Sequence, residues 1–404
     1  MKKYRPRIVA LGLYSYGTGF TRVLESLFKE LQMKYEIHWI GIGYKGPAKE
    51  IDGYMLHPNN LEGGDVFGAY KAAEMAKSLK AEIVFILCDT WLLHNFKRTL
   101  NIEERTWKTI AYLPLDGQII DHYPVKDIDF LDCLVAYHEG AKDHYEKALL
   151  DMRESSMINR SPKLEFAYHG VDLNTYYPLE KKEKVEARKS IFRNVENPEN
   201  KIFVLNANRF FERKDLETTI KGFAIARQQT DKLMLVLHCP GTGPGRLTGL
   251  EKIATDYNVL DWCIINPLGS DYVSDTTLNR LYNSCDIGVN TSHGEGWGFI
   301  CFEHGATGAA QLVPDHTASK GLWHIESRIN CSGEIKLQSN PFGMYQLSAE
   351  DLGEKLIRLC KNPTELLSEK SKAQENACHP SYDWKNIAIK WEGIMMNLLE
   401  SNNN

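Results

Sequence analysis

Long hydrophobic runs are missing from this 404-residue chain: no apolar stretch approaches the ~20 residues of a membrane-spanning helix. The basic-then-apolar start, MKKYRPRIVALGL, is short and runs straight into a turn rich in Tyr and Gly, so it reads as a first core strand and not a signal peptide. Closely paired cysteines are missing too. The nine cysteines, at 88, 133, 239, 263, 285, 301, 331, 360 and 378, form no Cys-x-x-Cys, and several sit in strand-like runs such as AEIVFILC. They read as buried thiols in a reducing, cytoplasmic setting, not as a disulfide framework. The thirteen histidines show no His-x-x-x-His and join no Cys/His cluster of ligand spacing, so no metal site is expected. His293, His304 and His316 read as loop and helix-surface residues. An excess of one charge is also lacking: 48 basic against 53 acidic residues leave a net −5, which argues against nucleic-acid binding by bulk electrostatics. Finally, the first turn, GLYSYGTG, lacks the Gly-x-Gly-x-x-Gly order, and no acidic residue closes a second strand at the right distance. A dinucleotide-dependent dehydrogenase is therefore disfavoured.

What is present is ordinary soluble-protein composition, 43% apolar and 25% charged, in a chain long enough for two domains. Strand-like and helix-like patterns alternate throughout. Residues 7–13 suit a buried parallel strand, and 20–33 carry Val23, Leu24, Leu27, Phe28 and Leu31 at helical spacing. Further strands are expected at 35–44, 82–88, 109–115 and 131–138, with helices at 67–79 and 139–150. Phe166 to Pro178 reads as a last strand and turn. The charge-dense stretch 179–201 reads as a linker and the first helix of a second domain. The pattern then restarts: strands at 202–206, 233–239 and 262–266, helices at 215–230, 247–257 and 275–284, and a rigid loop at 240–245. Helices at 349–360, 363–377 and 384–399 close the chain, and the last four residues read as a disordered tail. No sequence repeat relates the halves. Alternation of this kind predicts α/β domains with parallel sheets, in which ligands gather at the carboxyl ends of strands. Asp89, Asp116 and His138 fall at such ends. Each also suits a helix cap or a solvated loop.

The most informative stretch is Gly294 to Gly305, GEGWGFICFEHG, after the strand-like Cys285-Asp286-Ile287-Gly288-Val289-Asn290. Strand, glycine-rich turn and helix in that order present free N–H groups to a phosphate or another anion. Glu295 in the turn and Glu303 in the helix stand eight positions apart, placed to border one extended ligand. Gly17 and Gly19 make a similar, weaker turn after the first strand. The loop Asn208-Arg209-Phe210-Phe211-Glu212-Arg213-Lys214 is basic and follows the strand at 202–206.

Around Glu295 the sequence resembles the retaining, GT-B-fold glycosyltransferases of family four. Their small residue and aspartate before a strand match Cys285-Asp286; their Glu-Gly-Phe-Gly matches Glu295-Gly296-Trp297-Gly298, with Trp for Phe; their second Glu, after seven intervening residues, matches Glu303. The family's Arg and Lys with four residues between them match Arg209 and Lys214. Its turn at the domain boundary matches His169-Gly170-Val171-Asp172, its first glycine turn Gly17 and Gly19, and its final helix the stretch after Tyr382-Asp383-Trp384. The resemblance implies two Rossmann-like domains facing across a cleft: an acceptor domain, 1–178 with the crossing-back helix 382–400, and a donor domain, 179–381. It implies no metal and no cofactor beyond a UDP- or GDP-sugar as substrate. Arg209 and Lys214 would stabilise the diphosphate, Glu303 would take both ribose hydroxyls, Glu295 would contact the transferred sugar, and the amides of Gly296–Phe299 would hold sugar and phosphate. Retention implies that the acceptor hydroxyl approaches the face the diphosphate leaves, with a diphosphate oxygen taking its proton. Many members place a His from the first domain near the reacting sugar. Here the corresponding loop is Pro114-Leu115-Asp116-Gly117, so Asp116 is the expected helper and His122 the alternative. The acceptor is expected to be a glycan, protein or small molecule. A modified DNA base is the second choice, a peripheral membrane contact stays open, and a non-catalytic nucleotide-sugar binder is the alternative of another class.

Overall fold

In the computed structural model the chain divides into two compact units, Met1–Gly170 with Ser381–Asn404, and Val171–Pro380. The structure describes residues 4–239, 244–269 and 272–400, without the side chains of 244–247. Most of the loop expected at 240–245, together with Lys2, Lys3 and the tail 401–404, lies outside the described residues.

The first unit begins with β1 (Arg7–Leu13), α1 (Gly19–Leu31), β2 (Glu36–Ile42), β3 (Lys49–Ile51), β4 (Tyr54–Pro58) and α2 (Ala69–Leu79). It continues through β5 (Ile83–Leu87), α3 (His94–Leu100), β6 (Lys108–Leu113), β7 (Cys133–Ala136), α4 (Glu139–Glu154) and β8 (Lys163–Phe166). The sheet runs β3-β4-β2-β1-β5-β6-β7-β8, parallel except for the β3–β4 hairpin. Buried residues run without a break along β5, as expected of a strand covered on both faces. The expected helical stripe of α1 is buried in full. Strand order reverses between β1 and β5, which puts the Gly17–Gly19 turn at a topological switch point.

The second unit comprises α5 (Lys181–Ile191), β9 (Ile202–Asn206), α6 (Leu216–Arg227), β10 (Leu233–Leu237), α7 (Pro244–Asp256), β11 (Cys263–Ile265), α8 (Asp275–Ser284) and β12 (Ile287–Val289). After these come α9 (Phe299–Ala306), β13 (Ala310–Pro314), α10 (Thr317–Leu322), β14 (Arg328–Ile329), β15 (Cys331–Lys336), β16 (Gly343–Leu347), α11 (Ala349–Lys361) and α12 (Pro363–Ala377). Its parallel sheet runs β11-β10-β9-β12-β13-β14, and β15–β16 form a separate antiparallel hairpin. Counted from β9, this is the doubly wound order 3-2-1-4-5-6, with its switch point between β9 and β12. Its core joins Val204, Leu235 and Ile287 from the sheet to Phe223 and Leu352 from α6 and α11.

The last helix, α13 (Trp384–Glu400), groups with the first unit and packs on α1. Two of the quoted motifs meet there. A Cβ on Gly170 would fall 2.6 Å from the Trp384 ring, so only glycine fits. The Tyr168 and Tyr382 rings pack edge to face at 5.4 Å. Among the described residues no helix is long and apolar enough to cross a membrane. All nine cysteines are free, but Cys331 and Cys378 are exposed where buried thiols were expected: one lies on the hairpin edge, the other caps α12.

Candidate nucleotide-sugar site

Two loops at the switch point of the second sheet carry most of the expected residues. The loop after β9 is pinned at its start by Asn206, whose amide donates to Thr219 Oγ1 at 2.9 Å and whose Oδ1 accepts from the Asn208 backbone N–H and Nδ2. It ends at Asp215, in a left-handed conformation (φ 41°), which caps α6 through the Thr218 N–H and hydroxyl. Thr291 Oγ1, from the loop after β12, donates to the Asp215 carbonyl at 2.7 Å. The two loops are thereby fastened side by side.

Between these anchors Lys214 and Glu295 form a buried pair, Nζ to Oε2, at 2.5 Å. Asn290 Nδ2 and Ser292 Oγ also donate to Oε2, each at 3.3 Å. Arg213 Nη1 donates to the Gly294 carbonyl and stands 3.9 Å from Glu295 Oε1. Burial by itself would raise the Glu295 pKa. The charges of Lys214 and Arg213, with hydrogen bonds from Lys214 and Asn290, outweigh it and hold the carboxyl down to about 2. Glu295 is therefore a fixed anion at neutral pH.

Gly298 takes φ 92°, which glycine alone adopts without strain, and turns the chain into α9. Gly296 and Trp297 are buried in this turn, Phe299 is half-buried at the helix start, and the Trp297 ring stacks on Phe302 at 4.9 Å. Glu303 lies on the buried face of α9, where Tyr282 of α8 donates its hydroxyl to Oε2 at 3.2 Å.

The structure thus brings Lys214 and Glu295 into direct contact and sets Glu303 on the helix that follows. Arg209 stands apart. It is exposed, its guanidinium lies 5.4 Å from the Phe211 ring centre, and it makes no ion pair with a described residue. The cation beside Glu295 that sequence reasoning missed is Arg213, although it sits in the same RFFERK loop. Also missed were Asn290 and Ser292, which orient the carboxylate, and His316 and Thr317, which follow β13. His293, Nδ1 to the Tyr345 carbonyl at 2.9 Å, joins the hairpin to this loop.

In the first unit Gly17 (φ 75°) and Gly19 form an exposed turn into α1. Asp116 is half-buried in the loop after β6, which is held by hydrogen bonds from Thr90 Oγ1 and Tyr145 to the Pro114 carbonyl. His122 is half-buried, and its Nδ1 finds no hydrogen-bond partner among the described residues. His169 is fully buried against Tyr137 and Tyr112, a packing residue whose pKa burial drives well below the usual value. No group of three or more His, Cys, Asp or Glu among the described residues is arranged to hold a metal ion.

Residues 187–320, which contain the β9 loop, the β12 loop and α9, match the family model of the glycosyl transferases group 1. An uncharacterized glycosyltransferase of Bacillus subtilis strain 168, YqgM, is 31% identical over 114 residues, 28% of this chain and 30% of the relative. The match thus spans less than a third of that curated relative's length. Solved structures align over nearly the whole chain. A sucrose-phosphate synthase from Thermosynechococcus elongatus superposes with TM-score 0.71 at 13% identity, over 98% of this chain and 100% of that one. HepE of Anabaena, solved in complex with UDP and glucose, superposes with TM-score 0.72 at 12% identity, over 97% and 100%. The second unit thus carries a stretch similar to the glycosyl transferases group 1, and the chain as a whole has the α/β GT-B fold.

Proposed function

We propose that the protein is a retaining, metal-independent glycosyltransferase that moves a sugar from a nucleotide diphosphate-sugar to an acceptor hydroxyl. The observation that carries this reading is the buried Lys214–Glu295 pair at the switch point, with Glu303 on the adjoining helix. A diphosphate needs cations as its charge grows on bond cleavage. Lys214, Arg213 and the uncommitted Arg209 supply them from one loop, with no metal in the account. Glu303 offers a carboxylate to the ribose diol, oriented by Tyr282. Glu295, fixed as an anion, accepts hydroxyls of the transferred sugar, and the amides from Gly296 to Phe299 face the sugar and phosphate. The donor is a UDP- or GDP-sugar. HepE, a structural neighbour, was solved with UDP-glucose, which supports the choice of UDP as first probe. The acceptor is a glycan, protein or small molecule, and Asp116 is the helper assigned to the first unit, in the protein's proposed cytoplasmic setting.

The test is turnover with UDP- and GDP-sugars against oligosaccharide, lipid and hydroxymethylated DNA acceptors, with the product anomer read by NMR. Transfer with retained configuration to an oligosaccharide is expected. An inverted product contradicts the mechanism, and transfer to DNA alone overturns the acceptor assignment.

A further inference from the structure

Thr317 opens α10 with φ 44°. Eight non-glycine residues among those described have positive φ, and Thr317 is the one with a β-branched side chain. The others are Asp, Asn, Ser or Lys, which tolerate this region better, so the conformation at Thr317 is the most strained of the set. Strain of this kind persists where surrounding contacts require it, and the contacts here converge on Glu295.

The Glu295 backbone N–H donates to Thr317 Oγ1 at 3.2 Å, and the next amide, Ala318 N–H, donates back to the Glu295 carbonyl at 3.2 Å. Both main-chain polar groups of Glu295 are thus held by this one turn. The direction of the hydroxyl follows from its other neighbour. His316 Nε2 lies 3.0 Å from the Ser292 carbonyl, which can only accept, so Nε2 carries the proton. Burial keeps His316 neutral, with its pKa pushed down to about 4, so Nδ1 is an acceptor. The Thr317 hydroxyl, 3.0 Å from Nδ1, donates there and leaves its oxygen lone pairs to the Glu295 amide. The His316 ring is clamped by stacking on Tyr345 at 4.7 Å. A directed chain results: Glu295 N–H to Thr317 Oγ1–H to His316 Nδ1, and His316 Nε2–H to Ser292. It closes on Ser292, which itself bonds the Glu295 carboxylate.

We propose that Thr317 is a positioning residue for Glu295: it holds a left-handed backbone so that its hydroxyl, oriented by His316, fixes the main chain that aims the carboxylate at Lys214. The functional part rests on the reading that Glu295 contacts the transferred sugar.

Three variants of the full chain separate the parts. T317S keeps the hydroxyl, T317A removes it, and T317G removes it and relieves the strain. Amide hydrogen exchange at Glu295, read by NMR, is expected to stay within about twofold of the parent in T317S and to quicken at least about tenfold in T317A and T317G. T317G is expected to melt above T317A, because only glycine adopts this φ freely. Calorimetry then compares UDP-glucose with UDP. In T317A the preference for the sugar nucleotide should drop about tenfold, with UDP affinity little changed, and T317S should restore it. Parent-like exchange in T317A, or T317A melting as high as T317G, overturns the proposal. Faster exchange with an unchanged UDP-glucose preference leaves the positioning intact and removes Glu295 from the sugar site, a failure of the functional reading alone.

Discussion

Lys214 and Glu295 lie in a loop and a turn that, as sequence, share no neighbour; only the sheet order brings them to 2.5 Å. Once buried, each needs the other. Because the Glu295 pKa falls to about 2 in the folded chain from about 4.5, folding gains stability above pH ~4.5 that is lost as pH drops through the folded value. The shift corresponds to roughly 3 kcal/mol. Denaturant titrations of the parent and E295Q at several pH values should show a stability difference that is constant above pH ~5 and shrinks towards pH 2. A difference independent of pH would show that the pair is not ionised as described. Tyr282 acts on the other glutamate. Y282F removes one hydrogen bond to Glu303 and should weaken nucleoside diphosphate binding by about 1 kcal/mol, while leaving a 2′,3′-dideoxy analogue unaffected. Equal loss for both analogues would place Tyr282 outside ribose recognition.

At the scale of elements, the site stands on a buried charge cluster. Asp286, at the entry to β12, accepts from Arg188 of α5 at 2.5 Å, Lys370 of α12 at 2.7 Å and the Phe203 N–H of β9 at 3.0 Å. One carboxylate ties two helices to the two strands that flank the switch point. D286A leaves two half-buried cations without their anion and should cost about 3–5 kcal/mol in denaturant unfolding; a loss under about 1 kcal/mol would mean that water replaces the tie. The elements themselves were largely legible. The residues of β1, β9, α8 and α12 coincide with the expected stretches, because a continuous apolar run or a clear amphipathic period with a cap leaves little choice. The β3–β4 hairpin lies outside the expected strands, although Asp52-Gly53, both at positive φ, is a strong hairpin signal. The short β13–β16 region was not legible. Its strands are two to six residues long: β13 is buried throughout but carries Gln311 and ends on Pro314, and β15 is almost entirely exposed, so neither shows a long apolar run or a clear alternation. Of the candidate site residues, the glutamates and glycines stand out in the sequence by their place on a strand–turn–helix pattern, and Lys214 through the resemblance. Arg213, Asn290 and Thr317 do not, since their roles depend on which loops the sheet sets side by side.

Across the molecule, five buried histidines share one property. Burial pushes His138, His238 and His316 down to about 4, His304 to about 3, and His169 well below its usual range. In the unfolded chain each takes a proton near pH 6.5; in the folded chain none does until the pH is far lower. The unfolded state therefore binds more protons between these values, and stability falls as pH drops from about 6.5 towards 4, each residue adding up to about 1.4 kcal/mol per pH unit. A melting series from pH 7.5 to 4.5 should show the midpoint falling steadily below pH 6.5. A flat profile would mean that these rings are protonated in place. This acid limit lies above the one set by Glu295, so the two can be read apart.

The central claim is that the β9 loop, the β12 turn and α9 together bind a nucleotide diphosphate-sugar. The most direct measurement is calorimetric titration of the parent, K214A and E303A with whichever of the UDP, GDP and ADP sugars most raises the melting midpoint of the parent. The account predicts binding by the parent and a loss of at least about 30-fold in each variant, the scale of one charge-assisted contact. Parent-like affinity in both variants would contradict it.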